Sequence, residues 1–436
     1  MRGAFKIVLA GAVVACMLGA CSQGASPSGH ESSQQRAEQS SGASTSDSSE
    51  QSSGNSAATP AEATRLGALR ADSMPAGFTL ADKPLAFEFP RDHGPHPQFR
   101  HEWWYVTGHL DATTGERFGF ELTFFRFALT PPPSDTGEPS VASGVGTSDD
   151  GGSPAHSAWR TRQIYMAHFA VTDLDRKQFH SSERFARDAL EMAGAQASPF
   201  RVWLDDWSLG APPAGGDGAA SWQLRAADKN YSFDLQLRAL TPPVLNGNAG
   251  LSQKSSTPGA ASYYYSMPRL AAQGRVERDG KPLEVRGIAW LDREWGSGSL
   301  GADQQGWDWF AVQLDDGGTL MFYALRKQNG ARDEHSAGTW FAPDGTSHAL
   351  ADKDVQIEVK DYWQSPRGGR YPARWQLRVP SIALDVDIQP RLPDQELNTN
   401  PRYWEGAATV AGTRGAAKAT GKAYVELVGY AATAAK

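Results

Sequence analysis

The clearest pattern along the chain is a series of short runs in which apolar and polar residues alternate. From about residue 84 onward, Trp, Tyr, Phe and Val recur at every second position, which is the period of half-buried β-strands. Turn sequences separate these runs, and long helical periodicity is nearly absent. The pattern predicts strands at Arg117–Phe127, Gln163–Val171, Phe200–Leu204, Tyr231–Arg238, Glu284–Asp292, Trp307–Leu314, Leu320–Arg326, Val355–Tyr362, Arg374–Val379, Ala383–Ile388 and Ala423–Val428. Many short strands joined by regular turns indicate an all-β fold of barrels or sandwiches.

Three Pro-, Gly- and Ser-rich stretches interrupt this pattern, at residues 131–157, 211–220 and 246–261. They are longer than most loops in compact domains, and we therefore expect surface insertions.

A sequence pattern that occurs twice, which we call the sequence echo, divides the strand-rich part in two. Glu102-Trp103-Trp104-Tyr105-Val106 leads through a Gly turn to Arg126, and Asp308-Trp309-Phe310-Ala311-Val312 leads through a second Gly turn to Arg326. An acid, a Trp, a Val, a turn and an Arg thus recur in order. We predict two related β domains, at residues 83–298 and 299–436, which is consistent with a chain of 436 residues.

The N-terminus has the pattern of a secretory signal. Arg2 and Lys6 precede an apolar run that is too short to span a bilayer and that ends in Leu18-Gly19-Ala20-Cys21. This ending resembles the lipobox of bacterial lipoproteins. We predict a signal peptide at 1–20, lipidation of Cys21 and a disordered Ser- and Gly-rich tether at 21–80. The alternative is a buried N-terminal helix with an incidental cysteine.

The predicted location is the face of a membrane outside the cytoplasm. Ser22 stands where an inner-membrane retention signal would have Asp, which favours the outer membrane.

Only Cys16 and Cys21 are cysteines, so the mature chain has no disulfide or thiol nucleophile. The net charge of −7 and the lack of clustered Lys and Arg argue against nucleic-acid binding. We find no phosphate-loop motif and expect no cofactor.

The strongest candidate for chemistry is the acidic pair Asp292 and Glu294. On a strand the two carboxylates share a face with Trp290, while Arg293 and Trp295 lie on the other face. Two close carboxylates beside indole can raise each other's pKa, so that one acts as acid and one as base. The alternative is a structural network in which both carboxylates pair with Arg293, Arg286 or backbone amides.

Histidines and aromatic residues gather in a second region. His93, His96, His101 and His109 lie within 17 positions. On a strand, His101 and His109 share one face with Trp103, Tyr105 and Thr107 and can line a cavity, while His93 and His96 lie among prolines in a loop. The alternative is that the histidines contribute to a metal site. We favour the cavity and expect no metal, because no zinc-protease motif is present.

The tyrosine run Tyr263-Tyr264-Tyr265 is a third candidate. Its hydroxyls can act as polar groups on an apolar pocket wall. The run can equally be a strand edge that packs on the next sheet.

Several ordered motifs resemble the AttH/CrtC group. They are FPRDHGPHPQFRHEWWYVTGHL, YYYSMPRL, GIAWLDREWGS, GWDWFAVQLDDGGTLMFYALR and YWEGAATV with GKAYVELVGY, which together cover about residues 80–432. The group includes predicted secreted hydrolases, AttH proteins linked to ABC transporters, and carotenoid 1,2-hydratases. The resemblance implies two lipocalin-like β-barrel domains with a cleft for an apolar ligand.

The resemblance also implies roles for particular residues. The hydratases' proton-donating acid matches Asp292, between Trp290 and Trp295-Gly296, and the aromatic residues that steady a cation match Tyr263 and Tyr265. The hydratases have His-Asn where this chain has Arg293 and Glu294, so the chain is more similar to the AttH and secreted-hydrolase branch.

The sequence therefore favours a membrane-anchored, lipocalin-like lipoprotein that binds an apolar or lipid-like small molecule beside an ABC transporter. Ligand-binding residues are expected to be Trp103, Tyr105, His109, Trp290, Trp295, Trp307 and Trp309. The alternative is a hydratase or hydrolase with Asp292 as general acid and Glu294, Tyr263 and Tyr265 around it. A third reading is a structural partner of a transporter that has no ligand.

Overall fold

Alternating apolar and polar residues produce strands along nearly the whole described chain. The computed structural model describes residues 76–132, 161–212, 221–298 and 300–431. The predicted signal peptide, the lipidation site Cys21 and nearly all of the predicted tether lie outside these residues. All eleven predicted strands are confirmed, with ends that differ by a few residues.

The first sheet is built from residues before position 299. Its thirteen strands are β1 (His101–Ala112), β2 (Arg117–Ala128), β3 (Gln163–Asp173), β4 (Gln178–Arg187), β5 (Ala193–Ala197), β6 (Phe200–Leu204), β7 (Trp207–Gly210), β8 (Ser221–Ala227), β9 (Tyr231–Ala239), β10 (Val244–Leu245), β11 (Leu251–Gln253), β12 (Ala261–Arg278) and β13 (Lys281–Gly298). The strand order is β4-β3-β2-β1-β13-β12-β9-β8-β7-β6-β5, with β10 and β11 paired to β12. Neighbouring strands are antiparallel.

The second sheet follows in the chain. Its ten strands are β14 (Gln304–Leu314), β15 (Thr319–Lys327), β16 (Ala337–Phe341), β17 (Ser347–Ala351), β18 (Gln356–Gln364), β19 (Arg370–Val379), β20 (Leu384–Pro390), β21 (Glu396–Leu397), β22 (Tyr403–Arg414) and β23 (Ala417–Leu427). The order is β17-β16-β15-β14-β23-β22-β20-β19-β18, with β21 paired to β22. Helical structure in the described residues is limited to 3-10 turns at Arg91–His93, Ala189–Glu191, Asp352–Asp354 and Pro380–Ile382.

Both sheets use the same connectivity, because the first hairpin of each pairs with the last strand of the same sheet: β1 with β13, and β14 with β23. The sequence echo falls on these first hairpins. In each, the acid and the arginine form an ion pair, Glu102 with Arg126 and Asp308 with Arg326. The echo therefore reflects two β units with the same plan.

Each curled sheet encloses its own apolar core. The first contains Trp104, Phe120, Phe169, Trp207 and Trp295, and the second contains Phe310, Phe322, Trp340, Trp375 and Trp404. A third buried cluster, including Tyr105, Tyr264, Trp290 and Trp309, lies where the two sheets meet. Because alternate residues of one strand point to opposite faces, the central strands contribute both to a core and to this contact.

The expectation that residues 246–261 form a surface insertion is wrong. Asn246, Ser252 and Lys254 are buried, and the segment includes β11, which pairs with β12. The stretch is polar because it contributes hydrogen-bonding groups to the contact between the sheets. Over the residues that can be described, no helix has the length and apolar character needed to cross a membrane.

Candidate active site between the two sheets

A cavity of about 340 Å³ lies between the two sheets. That volume is within the range typical of small-molecule sites. The first sheet and the loop after it contribute Trp103, Tyr105, Thr123, Phe125, Phe127, Ile164, Met166, His168, Phe185, Lys254, Tyr264, Asp292, Glu294 and Leu300. The second sheet and its connections contribute Trp307, Trp309, Tyr323, Leu325, Asn400, Pro401, Tyr403, Glu426 and Val428. The lining is mostly aromatic and aliphatic, with a few ionisable groups.

Strand alternation on β13 places the acidic pair in this cavity. Asp292 and Glu294 line it, whereas Arg293 is buried on the opposite face, inside the first sheet. Arg293 forms its ion pair there with Glu102. Asp292 and Glu294 therefore do not form the alternative ion network with Arg293.

The Asp292 carboxyl is held by three neutral donors. Trp290 Nε1 and Ser266 Oγ each lie 2.6 Å from Oδ1, and the Tyr264 hydroxyl donates to Oδ2. Burial raises the pKa of Asp292 to about 7; the hydrogen bonds from Ser266, Tyr264 and Trp290 oppose this shift, and the Glu294 charge adds to it. Asp292 can thus carry or release a proton near neutral pH.

Glu294 is in a different electrostatic environment. It accepts a hydrogen bond from the Ser262 hydroxyl, and its Oε1 lies 3.2 Å from Lys254 Nζ. Burial is the largest single influence and would lower the pKa of Lys254, but the charges and hydrogen bonds of Glu294 and Tyr323 together outweigh it, so the pKa is raised. The Lys254 ammonium also lies 3.9 Å from the ring centroid of Tyr323. This end of the cavity therefore holds a buried ion pair.

The tyrosine that reaches Asp292 is Tyr264. Tyr263 and Tyr265 lie on the other face of β12, in the core of the first sheet, where the Tyr265 hydroxyl is 2.6 Å from His93 Nδ1. The sequence-based choice of Tyr263 and Tyr265 does not agree with this placement, because alternate residues of a strand face opposite ways. The Tyr264 hydroxyl also accepts a 3.1 Å hydrogen bond from Trp309 Nε1.

Replacing Tyr264 tests this contact. Because its hydroxyl stabilises the ionised Asp292, we expect Tyr264→Phe to raise the Asp292 pKa above about 7. The pKa can be measured by infrared difference titration of the carboxyl against Asp292→Asn. Tyr263→Phe is the matched control, because its hydroxyl donates to the Lys83 carbonyl. Equal pKa values in both variants would contradict the assigned contact.

The seven ligand-binding residues predicted from sequence have three different placements. Trp103, Tyr105, Trp307 and Trp309 line the cavity. Trp290 lies behind the cavity wall and reaches it through its hydrogen bond to Asp292. Two other predicted residues lie elsewhere: Trp295 stacks on His96 in the first core, with ring centroids 3.8 Å apart, and His109 Nε2 lies 3.0 Å from the Ala423 carbonyl.

The four histidines from His93 to His109 do not converge. His93 contacts Tyr265, His96 stacks on Trp295, and His101 stacks on Trp103 at 5.7 Å between ring centroids. Nowhere in the described ranges do three or more His, Cys, Asp or Glu side chains lie together as metal ligands.

Sequence reasoning missed Lys254, Tyr323 and Glu426. Each comes from a segment far along the chain from Asp292, and only the packing of the two sheets brings them to one cavity. One signal was present for Tyr323 and Glu426: both lie in motifs that resemble the AttH/CrtC group.

The chain belongs to the AttH-like family, whose model matches residues 80–430. A crystal structure of an AttH protein from Nitrosomonas europaea is 31% identical, covers 81% of this chain and 100% of that chain, and superposes with a TM-score of 0.68. The resemblance found in the sequence motifs is thereby confirmed.

More distant relatives have names that state an activity. Dehydratase asqC of Emericella nidulans is 22% identical over 224 residues, and kievitone hydratase of Fusarium solani subsp. phaseoli is 22% identical over 219 residues. Each match covers 49% of this chain and only 62% or 61% of the relative's length. The crystal structure of kievitone hydratase from Nectria haematococca has the same fold, with 15% identity, a TM-score of 0.58, and coverage of 82% of this chain and 98% of that chain.

Proposed function

We propose that this chain is a hydro-lyase that adds water to an isolated carbon–carbon double bond of an apolar small molecule, or removes it, with Asp292 as general acid. One observation carries the proposal: a buried carboxyl without a cationic partner, its pKa raised by burial to about 7, faces an aromatic cavity between the sheets. Asp292 has no cationic partner in the described residues, since its contacts are Trp290, Ser266 and Tyr264.

The hydrogen-bond pattern favours Oδ2 of Asp292 as the oxygen that gives the proton. Oδ1 of Asp292 accepts two hydrogen bonds, whereas Oδ2 accepts only one, from Tyr264. A carboxyl oxygen has two lone pairs, so Oδ2 keeps a position for a proton. Transfer of that proton to an alkene carbon forms a C–H bond and leaves a carbocation on the neighbouring carbon.

The cavity walls suit such a cation. Indole and phenol faces attract positive charge, and Trp103, Trp307 and Trp309 surround the site. One water molecule then captures the cation. Capture forms the C–O bond, and loss of a proton from that water completes the hydration.

The names of the relatives support this proposal over simple ligand binding. One is called a hydratase and another a dehydratase, and addition and removal of water are opposite directions of one type of reaction. Apolar ligand binding is part of the proposal, since the substrate must occupy the cavity. No comparison supports association with an ABC transporter. Lipidation at Cys21 and an exported, membrane-anchored location remain predictions from the sequence.

The test is hydration in heavy-oxygen water. The purified full chain is incubated in water labelled with ¹⁸O with para-prenylphenol, which has one isolated trisubstituted double bond, or geranylacetone, which has two. We expect a product that gains one labelled water by mass spectrometry, and the corresponding tertiary alcohols should lose water in the reverse assay. Binding of both probes without conversion in either direction would favour a binding protein instead.

A further inference from the structure

We infer that Glu426, on the opposite wall of the cavity from Asp292, is the general base that takes a proton from the attacking water. The inference rests on the proposed hydro-lyase function and names its second catalytic residue. Asp292 lies on β13 of the first sheet and Glu426 on β23 of the second, and both side chains line the same cavity.

The surroundings of Glu426 distinguish it from other acidic residues near the cavity. Trp307 Nε1 donates a 3.0 Å hydrogen bond to Oε2. Among the described side chains, Oε1 has no hydrogen-bond partner and no cation lies within ion-pair distance of the carboxyl. Glu294, by contrast, is paired with Lys254. Of the three carboxyl groups that line the cavity, only Asp292 and Glu426 are thus without a cationic partner.

Trp309 connects the two carboxyl groups across the contact between the sheets. Its backbone pairs with that of Glu426 in the β14–β23 ladder, and its indole donates to the Tyr264 hydroxyl, which donates to Asp292. Burial raises the pKa of Glu426 to about 7, and the charges of Asp292 and Glu294 add to this, while the Trp307 hydrogen bond opposes it. The two groups are therefore near enough to interact electrostatically.

A hydration reaction needs one acid and one base. Asp292 and Glu426 supply both when Asp292 is protonated and Glu426 is ionised. Asp292 gives its proton to the alkene carbon. Water then donates an oxygen lone pair to the cation and a proton to the Glu426 carboxylate. Return of that proton from Glu426 to Asp292 through water restores the starting state, so the net change is addition of one water.

Deuterium exchange separates the two steps. In D2O the Asp292 carboxyl carries deuterium and can transfer it to para-prenylphenol without any water attack. If the cation then loses a proton back to Asp292, the recovered alkene contains deuterium. We expect Glu426→Gln to reduce hydration by about 10²-fold or more while exchange into recovered alkene persists. Asp292→Asn should lose both exchange and hydration.

A conservative variant completes the test. Glu426→Asp keeps a carboxylate that can accept a proton, so it should hydrate the probe faster than Glu426→Gln. If Glu426 had a purely structural role, restoring a carboxylate would not restore the hydration rate. Loss of exchange and hydration together in Glu426→Gln, or an unchanged hydration rate, overturns the assignment of Glu426. If the wild-type chain shows neither exchange nor hydration with either probe, the proposed hydro-lyase function fails, and the role of Glu426 fails with it.

Discussion

Asp292→Asn is expected to slow the hydration of para-prenylphenol by about 10²–10⁴-fold, the usual contribution of a positioned general acid. The substitution keeps the size of the side chain and an oxygen that can accept hydrogen bonds from Trp290 and Ser266. It removes the transferable proton and places an amide nitrogen at the Oδ2 position, where it cannot accept the hydrogen bond from the Tyr264 hydroxyl. The measurement is the initial rate of hydration at saturating probe, with probe affinity determined separately.

The free energy of unfolding of Asp292→Asn distinguishes a lost catalytic proton from a loss of folded protein. Because the folded-state pKa of Asp292 is raised from 3.8 to about 7, ionisation of the carboxyl destabilises the folded state as pH rises through that window. A neutral Asn avoids the cost, so the variant should be at least as stable as the wild type at pH values above about 7. Asp361→Asn, at an exposed position on β18, is the matched control and should retain full activity. A wild-type rate in Asp292→Asn would exclude Asp292 as the proton donor.

Glu102→Gln is expected to lower the free energy of unfolding by about 3–5 kcal/mol, because it removes one partner of a buried ion network. Glu102 is fully buried and pairs with both Arg126 and Arg293. Its two carboxylate oxygens also lie 3.1 Å from the His96 backbone nitrogen. The variant leaves two arginine charges inside the first sheet without a carboxylate.

The effect should depend on pH in a defined direction. Burial alone would raise the pKa of Glu102, but the charges of Arg126 and Arg293 hold it well below its usual value of 4.5. The stabilisation is therefore complete above about pH 4.5 and is lost only as the pH falls toward the lower folded-state pKa. Urea unfolding of wild type and variant at neutral and acidic pH measures this difference.

The matched control for Glu102 is a surface ion pair. Glu358 lies 2.7 Å from Lys360, and both side chains are accessible to solvent. Exposed pairs contribute little, so Glu358→Gln should change stability by less than about 1 kcal/mol. A loss of similar size in both variants would contradict the special role of the buried network.

The local sequence was sufficient for the strands because period-two alternation is a property of neighbouring residues. The same rule placed Asp292 and Glu294 on one face of β13 and Arg293 on the other. It could not say which face of the tyrosine run meets Asp292, because that depends on how β12 aligns with β13. The register pairs Ser266 with Asp292 and Tyr264 with Glu294, which puts Tyr264 on the cavity face.

Sequence by itself determined the all-β class, the repeated hairpin plan, the family and the shared strand face of Asp292 and Glu294, since each is encoded in residues close together in the chain. Only the tertiary structure decided that the cavity lies between the sheets, while apolar cores fill their interiors. It also decided that Lys254 pairs with Glu294 and that Glu426 shares the cavity with Asp292. The physical reason is that these contacts join segments far apart in the chain, and their distances depend on how two separately formed sheets pack.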